Sequence, residues 1–214
     1  MQARYFFVMS ILFLVTSIAF TQELPQLLKL PTPDKTGGKP LMQVLSERHS
    51  SRSFSEKTLP EEILSNLLWA AFGVNRADGR RTAPSARNWQ EISLYLCMAD
   101  GLYLYDAKEH ALQLLAKQDL RKLTGMQDFV EKAPLNIVYV ADTQKAGARS
   151  GDDSALYMGA DCGFIAENVY LYCASAGLAT VVRGMVNREA LAAEMKLAPH
   201  QKILLSQTVG YPAE

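Results

Sequence analysis

Three features of the chain predict an α+β fold. Strand-like apolar runs follow and interleave with helical patterns, without a regular β-α repeat. One helical pattern, from Asp152 to about Ala176, is far longer than the others and apolar nearly all round, as a core or interface helix is. The composition, 49% apolar and 21% charged over 214 residues, is that of a folded domain of ordinary size with a substantial core.

Residues 1–22 read as a signal peptide. Arg4 precedes an apolar run from Tyr5 to Phe20, and Ala19 and Thr21 suit the small-residue positions before a cut near Gln22. The run is short of the roughly 20 residues that span a bilayer, so cleavage is favoured over an uncleaved anchor. This predicts an exported, periplasmic protein with no membrane contact after cleavage. Residues 23–39, with Pro25, Pro31, Pro33 and Gly37-Gly38, read as an extended leader to a domain at 40–214.

Pro40 can open a helix, and Leu41, Val44 and Leu45 give it one apolar face. It ends at Arg48-His49-Ser50-Ser51-Arg52, which closes on Phe54. Two guanidinium groups and two hydroxyls within five residues can grip a phosphate, because the planar fork of Arg matches its oxygens and Ser adds short donors. A solvated basic turn, or pairing of the arginines with Glu47 and Glu56, is the competing reading. Thr58, Pro60, Glu61 and Glu62 start a second helix, with a capping hydroxyl and acids at the positive end. Ile63, Leu64, Leu67, Leu68 and Ala71 continue it, and Gly73 stops it.

Residues 74–90 form a long polar loop, a length that is usually functional. Ile92–Met98 and Leu102–Tyr105 are strands joined at Asp100-Gly101, and Ala111–Leu115 is a third. Lys117–Thr124 and Met126–Lys132 read as helical pieces broken at Gly125. Leu135–Val140 is a β-branched central strand. The long helix follows, stopped by Gly177. Ala179–Val182, Asn187–Met195 and Ile203–Val209 complete the pattern as strand, helix and strand.

Lys plus Arg and Asp plus Glu number 22 each, so nucleic acid is not an expected partner. The His residues are scattered at 49, 110 and 200, with no Cys-x-x-Cys pair, so no metal site is expected. Cys162 and Cys173 are roughly 16 Å apart along one helix and cannot bond within it. Cys97 and this pair read as small buried hydrophobes. Asp152-Asp153 are helix-start charges, and Asp161 and Glu167 lie about 240° apart around their helix. No paired-carboxylate or Ser/His/Asp constellation appears.

The order of the motifs resembles one family. Arg48-x-Ser50-x-Arg52-x-Phe54 comes first, then Pro84-Ser85-Ala86-Arg87-Asn88-Trp89-Gln90. Asp161-x-Gly163, Glu167-Asn168-x-x-Leu171, Gly177-Leu178-x-Thr180, Arg183-Gly184 and Gly210-Tyr211-Pro212 follow. Over roughly residues 40 to 212 this series resembles the nitroreductase family. Gly101-Leu102-Tyr103-x-Tyr105-Asp106, Asp119-Leu120-Arg121 and Ala133-Pro134 look most like its thiazoline and oxazoline dehydrogenase branch.

The resemblance implies a mostly antiparallel central sheet flanked by helices, with the long helix at a homodimer interface. It implies bound FMN and an oxidoreductase that moves hydride to or from a small organic substrate, either a nitro or quinone-like acceptor or an azoline-like donor. Arg48, Ser50 and Arg52 would hold the phosphate, with His49 contributing backbone. Asn88, and with it Gln90, would reach the flavin; Pro84, Ser85 and Asn88 would come from the second subunit. Val181, Arg183 and Gly184 match the segment whose backbone passes the reactive ring nitrogen, and Arg183 would place a fixed positive charge near the ring. The chain departs from the family near its end, where no basic residue follows Pro212; Lys202 is the substitute considered. Trp89, Phe72 and Tyr157 are candidates for a pocket lining. A non-catalytic flavin or small-ligand binding module is the alternative.

Overall fold

A computed structural model describes residues 27–146 and 152–213. The signal peptide read over residues 1–22 lies outside the described residues. The architecture is one seven-stranded sheet with four α-helices among the described residues. The strands are β1 (Leu27–Lys29), β2 (Ile92–Met98), β3 (Gly101–Asp106), β4 (Ala111–Ala116), β5 (Leu135–Asp142), β6 (Ala179–Arg183) and β7 (Gln201–Gly210). Their order across the sheet is β1-β4-β3-β2-β5-β7-β6, and every pairing is antiparallel. The α+β class is therefore as the sequence predicts.

The helices are α1 (Leu41–Glu47), α2 (Glu61–Phe72), α3 (Asp152–Ala176) and α4 (Arg188–Glu194). Pro60, not Thr58, sits at the start of α2, with no side-chain cap. Asn187 does cap α4, accepting from Ala190 N–H at 3.2 Å. Gly177 ends α3 with φ +69°, and Leu178 N–H donates to Cys173 C=O at 2.8 Å, the paired signature of a left-handed helix stop. The two pieces expected at 117–132 are single 3₁₀ turns, Arg121–Thr124 and Asp128–Val130.

The residues of β5 alternate between two cores, as a pleated strand buried on both faces must. Leu135, Ile137, Tyr139 and Ala141 join the core under α2 and α3, with Leu67, Leu68, Phe72, Ile165, Val169 and Cys173. Val138 and Val140 join the opposite core with Tyr95, Cys97, Leu191 and Ile203. Each fully buried Leu or Ile there contributes roughly 1.5–3 kcal/mol. All three Cys are buried and free.

The leader is extended, as its prolines imply, but it is built onto the domain. Leu27–Lys29 pair with Ala111–Gln113, and Leu30 N–H donates to His110 C=O at 3.1 Å. Ser65 Oγ donates to Pro31 C=O at 2.6 Å, and Lys39 N–H donates to Ser175 Oγ at 2.9 Å. The ring of His110 is held between Ser65 Oγ and the Tyr105 hydroxyl, and burial lowers its pKa.

Candidate active site

The arginine-serine segment lies along the outer edge of β6. Helix α1 ends because Arg48 turns extended, with ψ 121°. Ser51 N–H then donates to Thr180 C=O at 2.9 Å. Phe54 bridges Pro212 and packs with Ala133, Ala179 and Val181. Ser55 N–H donates to Tyr211 C=O at 2.9 Å. The Gly210-Tyr211-Pro212 end of the chain is thus the support on which the segment rests.

Tyr170 of α3 ties the segment to the sheet. Its hydroxyl lies 2.9 Å from Ser50 Oγ and accepts Val182 N–H at 2.9 Å. The Arg48 guanidinium lies 5.3 Å from the centre of the same ring, a cation–π distance. Glu47 does not neutralise Arg48. Its carboxylate pairs with Lys39 at 2.6 Å, and the hydrogen bond from Lys39 holds it below the usual carboxylate range. Among the described residues neither Arg48 nor Arg52 forms an ion pair, so the competing reading of pairing with Glu47 and Glu56 is not what the structure shows. Arg48 is half-buried and Arg52 exposed. His49 Nδ1 lies 2.7 Å from Glu47 C=O. His49 and Ser51 face a cleft of about 380 Å³ bounded also by Lys39, Gly177, Ala179 and Pro212.

The end of β6 divides its residues between two faces. Val181 is buried beside Phe54. Gly184 is exposed, and a Cβ built on it would meet only Leu205 Cδ2, at 3.9 Å, so the main chain is open to close approach there. Arg183 points the other way, into the interior of the domain. Its side chain is 5% exposed and donates to Thr124 C=O, Asn136 Oδ1 and Thr208 Oγ1 at 2.7–2.9 Å. Burial pulls its pKa down to about 10. Strand alternation puts Arg183 on the face of Ala179 and Val181, away from α3. Lys202 pairs with Ala141 at the far end of β7, roughly 20 Å along the strand from Thr208, and does not join the segment.

The 84–90 loop rests on the other half of α3. Ala86 N–H donates to Asp161 Oδ2 at 2.8 Å, and Gln90 N–H donates to Ser85 Oγ at 2.8 Å. Ser85 Oγ lies 3.3 Å from Glu91 Oε2. Arg87, Asn88 and Gln90 all have positive φ, at 51°, 57° and 48°. Three non-glycine residues in that region within four positions store strain, which concentrates at functional sites. Gln90 is committed to the loop itself, accepting from Arg81 Nε and donating to Gly79 C=O and Asn88 Oδ1. Pro84 and Asn88 are exposed. Trp89 meets Tyr157 edge-on at 6.0 Å, whereas Phe72 is core.

Within one chain the two groups of predicted residues are therefore apart. One contacts α3 at Tyr170 and the other at Asp161, nine residues and roughly 13.5 Å away along the axis. Glu91 and Tyr170 escaped the sequence reading. Glu91 is fully buried, with Oε1 unpaired, and burial together with the facing Asp161 raises its pKa to about 7. An acid directly before an apolar strand was its only sequence signal. Tyr170 is one of three aromatic residues in Tyr170-Leu171-Tyr172 and Phe164, with nothing in the pattern to single it out.

Comparison with known proteins identifies the family and the fold. The sequence profile of the nitroreductase family matches residues 45–211. A candidate nitroreductase of Methanocaldococcus jannaschii is 27% identical over 175 residues, covering 77% of this chain and 88% of the relative. A crystal structure of a candidate nitroreductase from Ralstonia eutropha is 45% identical, with a TM-score of 0.84 over 89% of this chain and 95% of that one. The E. coli microcin synthetase McbBCD complex shares the fold at a TM-score of 0.69 and 20% identity, over 94% of this chain and 85% of that one.

Proposed function

Since the chain belongs to the nitroreductase family of oxidoreductases, we propose that it is an exported FMN-dependent oxidoreductase acting as a homodimer. The observation that carries the cofactor reading is the state of the arginine-serine segment. Arg48 and Arg52 hold no ion pair among the described residues, while Glu47, the acid next to Arg48 in sequence, is taken by Lys39. Two guanidinium groups beside a serine hydroxyl fit a phosphate monoester, which carries a charge of about −1.5 to −2 and three acceptor oxygens. Because Val182 N–H already donates to the Tyr170 oxygen, the phenol can donate to Ser50 and leave the serine proton for that phosphate.

When bound, the flavin supplies the hydride chemistry; the protein supplies binding, orientation and electrostatics. Arg48, Ser50 and Arg52 hold the phosphate, and the open main chain at Gly184 lets a ring lie close. Asn88 offers an amide that both donates and accepts. Its separation from the phosphate segment within one chain fits delivery of Pro84, Ser85 and Asn88 by a second subunit. The apolar residues left exposed support the dimer. Leu156, Tyr157 and Phe164 on α3 and Leu41, Met42 and Leu45 on α1 are 43–75% exposed, as a helix-on-helix interface requires. The resemblance of the 101–106, 119–121 and 133–134 motifs to the thiazoline and oxazoline dehydrogenase branch favours a small organic donor.

Turnover separates the enzyme from a flavin-binding module. The purified protein is expected to be yellow, to bleach with dithionite and to recover its colour on addition of a nitroaromatic or quinone. Bound flavin that bleaches but is reoxidised no faster with such acceptors than without them contradicts the enzymatic reading.

A further inference from the structure

A second group of arginines surrounds a cleft of about 480 Å³ beside the 84–90 loop. Its walls are Arg76, Arg80, Arg81 and Arg87, with Ala83, Pro84, Ser85 and Asn88. Four guanidinium groups around one opening repel each other unless an anion sits among them. The surroundings supply little compensation. Asp78 pairs with Arg80 at 3.4 Å, both on the surface, and no other carboxylate pairs with any of the four among the described residues.

Neutral contacts hold three of them in place. Arg81 lies 4.3 Å over the Phe72 ring, and donates from Nε to Gln90 Oε1 at 2.9 Å and from Nη1 to Phe72 C=O at 3.3 Å. Burial lowers its pKa, and the charge of Asp106 offsets only part of that cost without pairing with it. Arg76 donates to Asn75 Oδ1 at 3.0 Å and to Arg81 C=O at 3.1 Å. Arg87 sits 5.9 Å from the Trp89 ring. The cations are thus pre-positioned by rings and carbonyls rather than neutralised. A single carboxylate would be satisfied by one guanidinium fork. A phosphate or pyrophosphate, with more oxygens and more charge, uses several.

We propose that this cleft recognises the phosphate or pyrophosphate of a phosphorylated substrate, while the reacting end of that substrate lies toward Asn88. The assignment of Asn88 to the reacting end rests on the flavin reading above. The phosphate belongs either to the reductant or to the organic acceptor.

The test is calorimetric titration of the flavin-loaded protein with inorganic pyrophosphate at low salt, in wild type and in the Arg76→Gln/Arg87→Gln double variant. Both side chains are exposed, so the fold and the flavin content should be retained. Saturable binding, weakened about tenfold or more in the double variant, is expected, because charge-assisted hydrogen bonds are removed. Absence of saturable binding to wild type, or equal binding by the variant, overturns the proposal. A rise in KM for both NADH and NADPH in the variant assigns the site to the reductant's pyrophosphate, and a rise for NADPH alone to its extra phosphate; both unchanged, with pyrophosphate binding reduced, assigns it to the acceptor. A yellow protein indifferent to pyrophosphate defeats the cleft alone. A wild-type protein that rejects flavin, while the Arg48→Ala/Arg52→Ala variant still binds pyrophosphate through Arg76 and Arg87, defeats the flavin reading alone.

Discussion

The hydroxyls of Ser50 and Tyr170 lie 2.9 Å apart, and the Tyr170 oxygen also accepts the backbone N–H of Val182 on the free edge of β6. One phenol therefore ties the arginine-serine segment, the long helix and the edge strand together. Its hydroxyl also satisfies a main-chain donor that an edge strand would otherwise leave without a strand partner.

Tyr170→Phe should separate these roles. The ring under Arg48 remains, while the hydroxyl is lost. We expect a loss of about 1 kcal/mol of stability, the usual worth of one or two intramolecular hydrogen bonds. FMN affinity should fall about three- to tenfold. Thermal unfolding and a fluorescence titration with FMN measure the two effects.

Replacement of Arg183 should affect folding rather than flavin potential. Arg183→Met removes a buried cation that donates to Thr124, Asn136 and Thr208, while Ser206 Oγ and Thr208 Oγ1 go on donating to Thr124 C=O and Asn136 Oδ1. The expected loss is about 1.5–3 kcal/mol, the worth of hydrogen bonds from a charged group, read from denaturant unfolding. The midpoint potential of bound flavin should stay where it is in wild type.

Arg183 shows where sequence reasoning stops. Its position after an apolar strand and before Gly184 was legible, and so was the strand itself. Which of two faces it takes depends on the register of β6 against β7, where Arg183 pairs with Ser206, and local pattern does not encode that register. The fold was legible because hydrophobic period and turn residues mark each element. The phosphate segment was legible because its chemistry lies within five consecutive residues. Glu91 and Asp161 meet across 70 positions, and only tertiary packing reveals that. The leader read as a tether because prolines and glycines describe chain stiffness, not what the chain lies against; Leu27–Lys29 find an open strand edge at β4.

Stability should fall as pH rises from about 4.5 to about 7. Glu91 is buried against Asp161, and its pKa is raised from 4.5 to about 7 in the folded chain. The folded state thus holds a proton that the unfolded state has released. This contribution is fully present below about pH 4.5 and is lost as pH passes the folded value. The slope is at most about 1.4 kcal/mol per pH unit. Glu91→Gln, neutral at every pH, should flatten the dependence of the unfolding temperature on pH across that window. A variant that reproduces the wild-type slope contradicts the assignment.

The three thiols should be silent in the native protein. Burial raises the pKa of Cys97 and Cys162 to about 12 and that of Cys173 further, so thiolate is scarce as well as inaccessible. A thiol-reactive chromophore should label none of them in buffer and all three in denaturant.

Charges on the exposed face of α3 should break the proposed dimer. Leu156→Asp with Phe164→Asp, at positions 67% and 47% exposed in the single chain, should give a folded monomer by light scattering. Flavin content should fall with it, because Asn88 would no longer be supplied across the interface.

The most direct test is the cofactor itself. The protein is purified without added flavin, gently denatured, and the released small molecule is identified by mass spectrometry, in wild type and in Arg48→Ala/Arg52→Ala. The account predicts FMN near one per chain in wild type, and a loss of most of it in the double variant with the fold intact. A wild-type protein that releases no flavin and takes up none when FMN is added, or a double variant that retains its full complement, contradicts it.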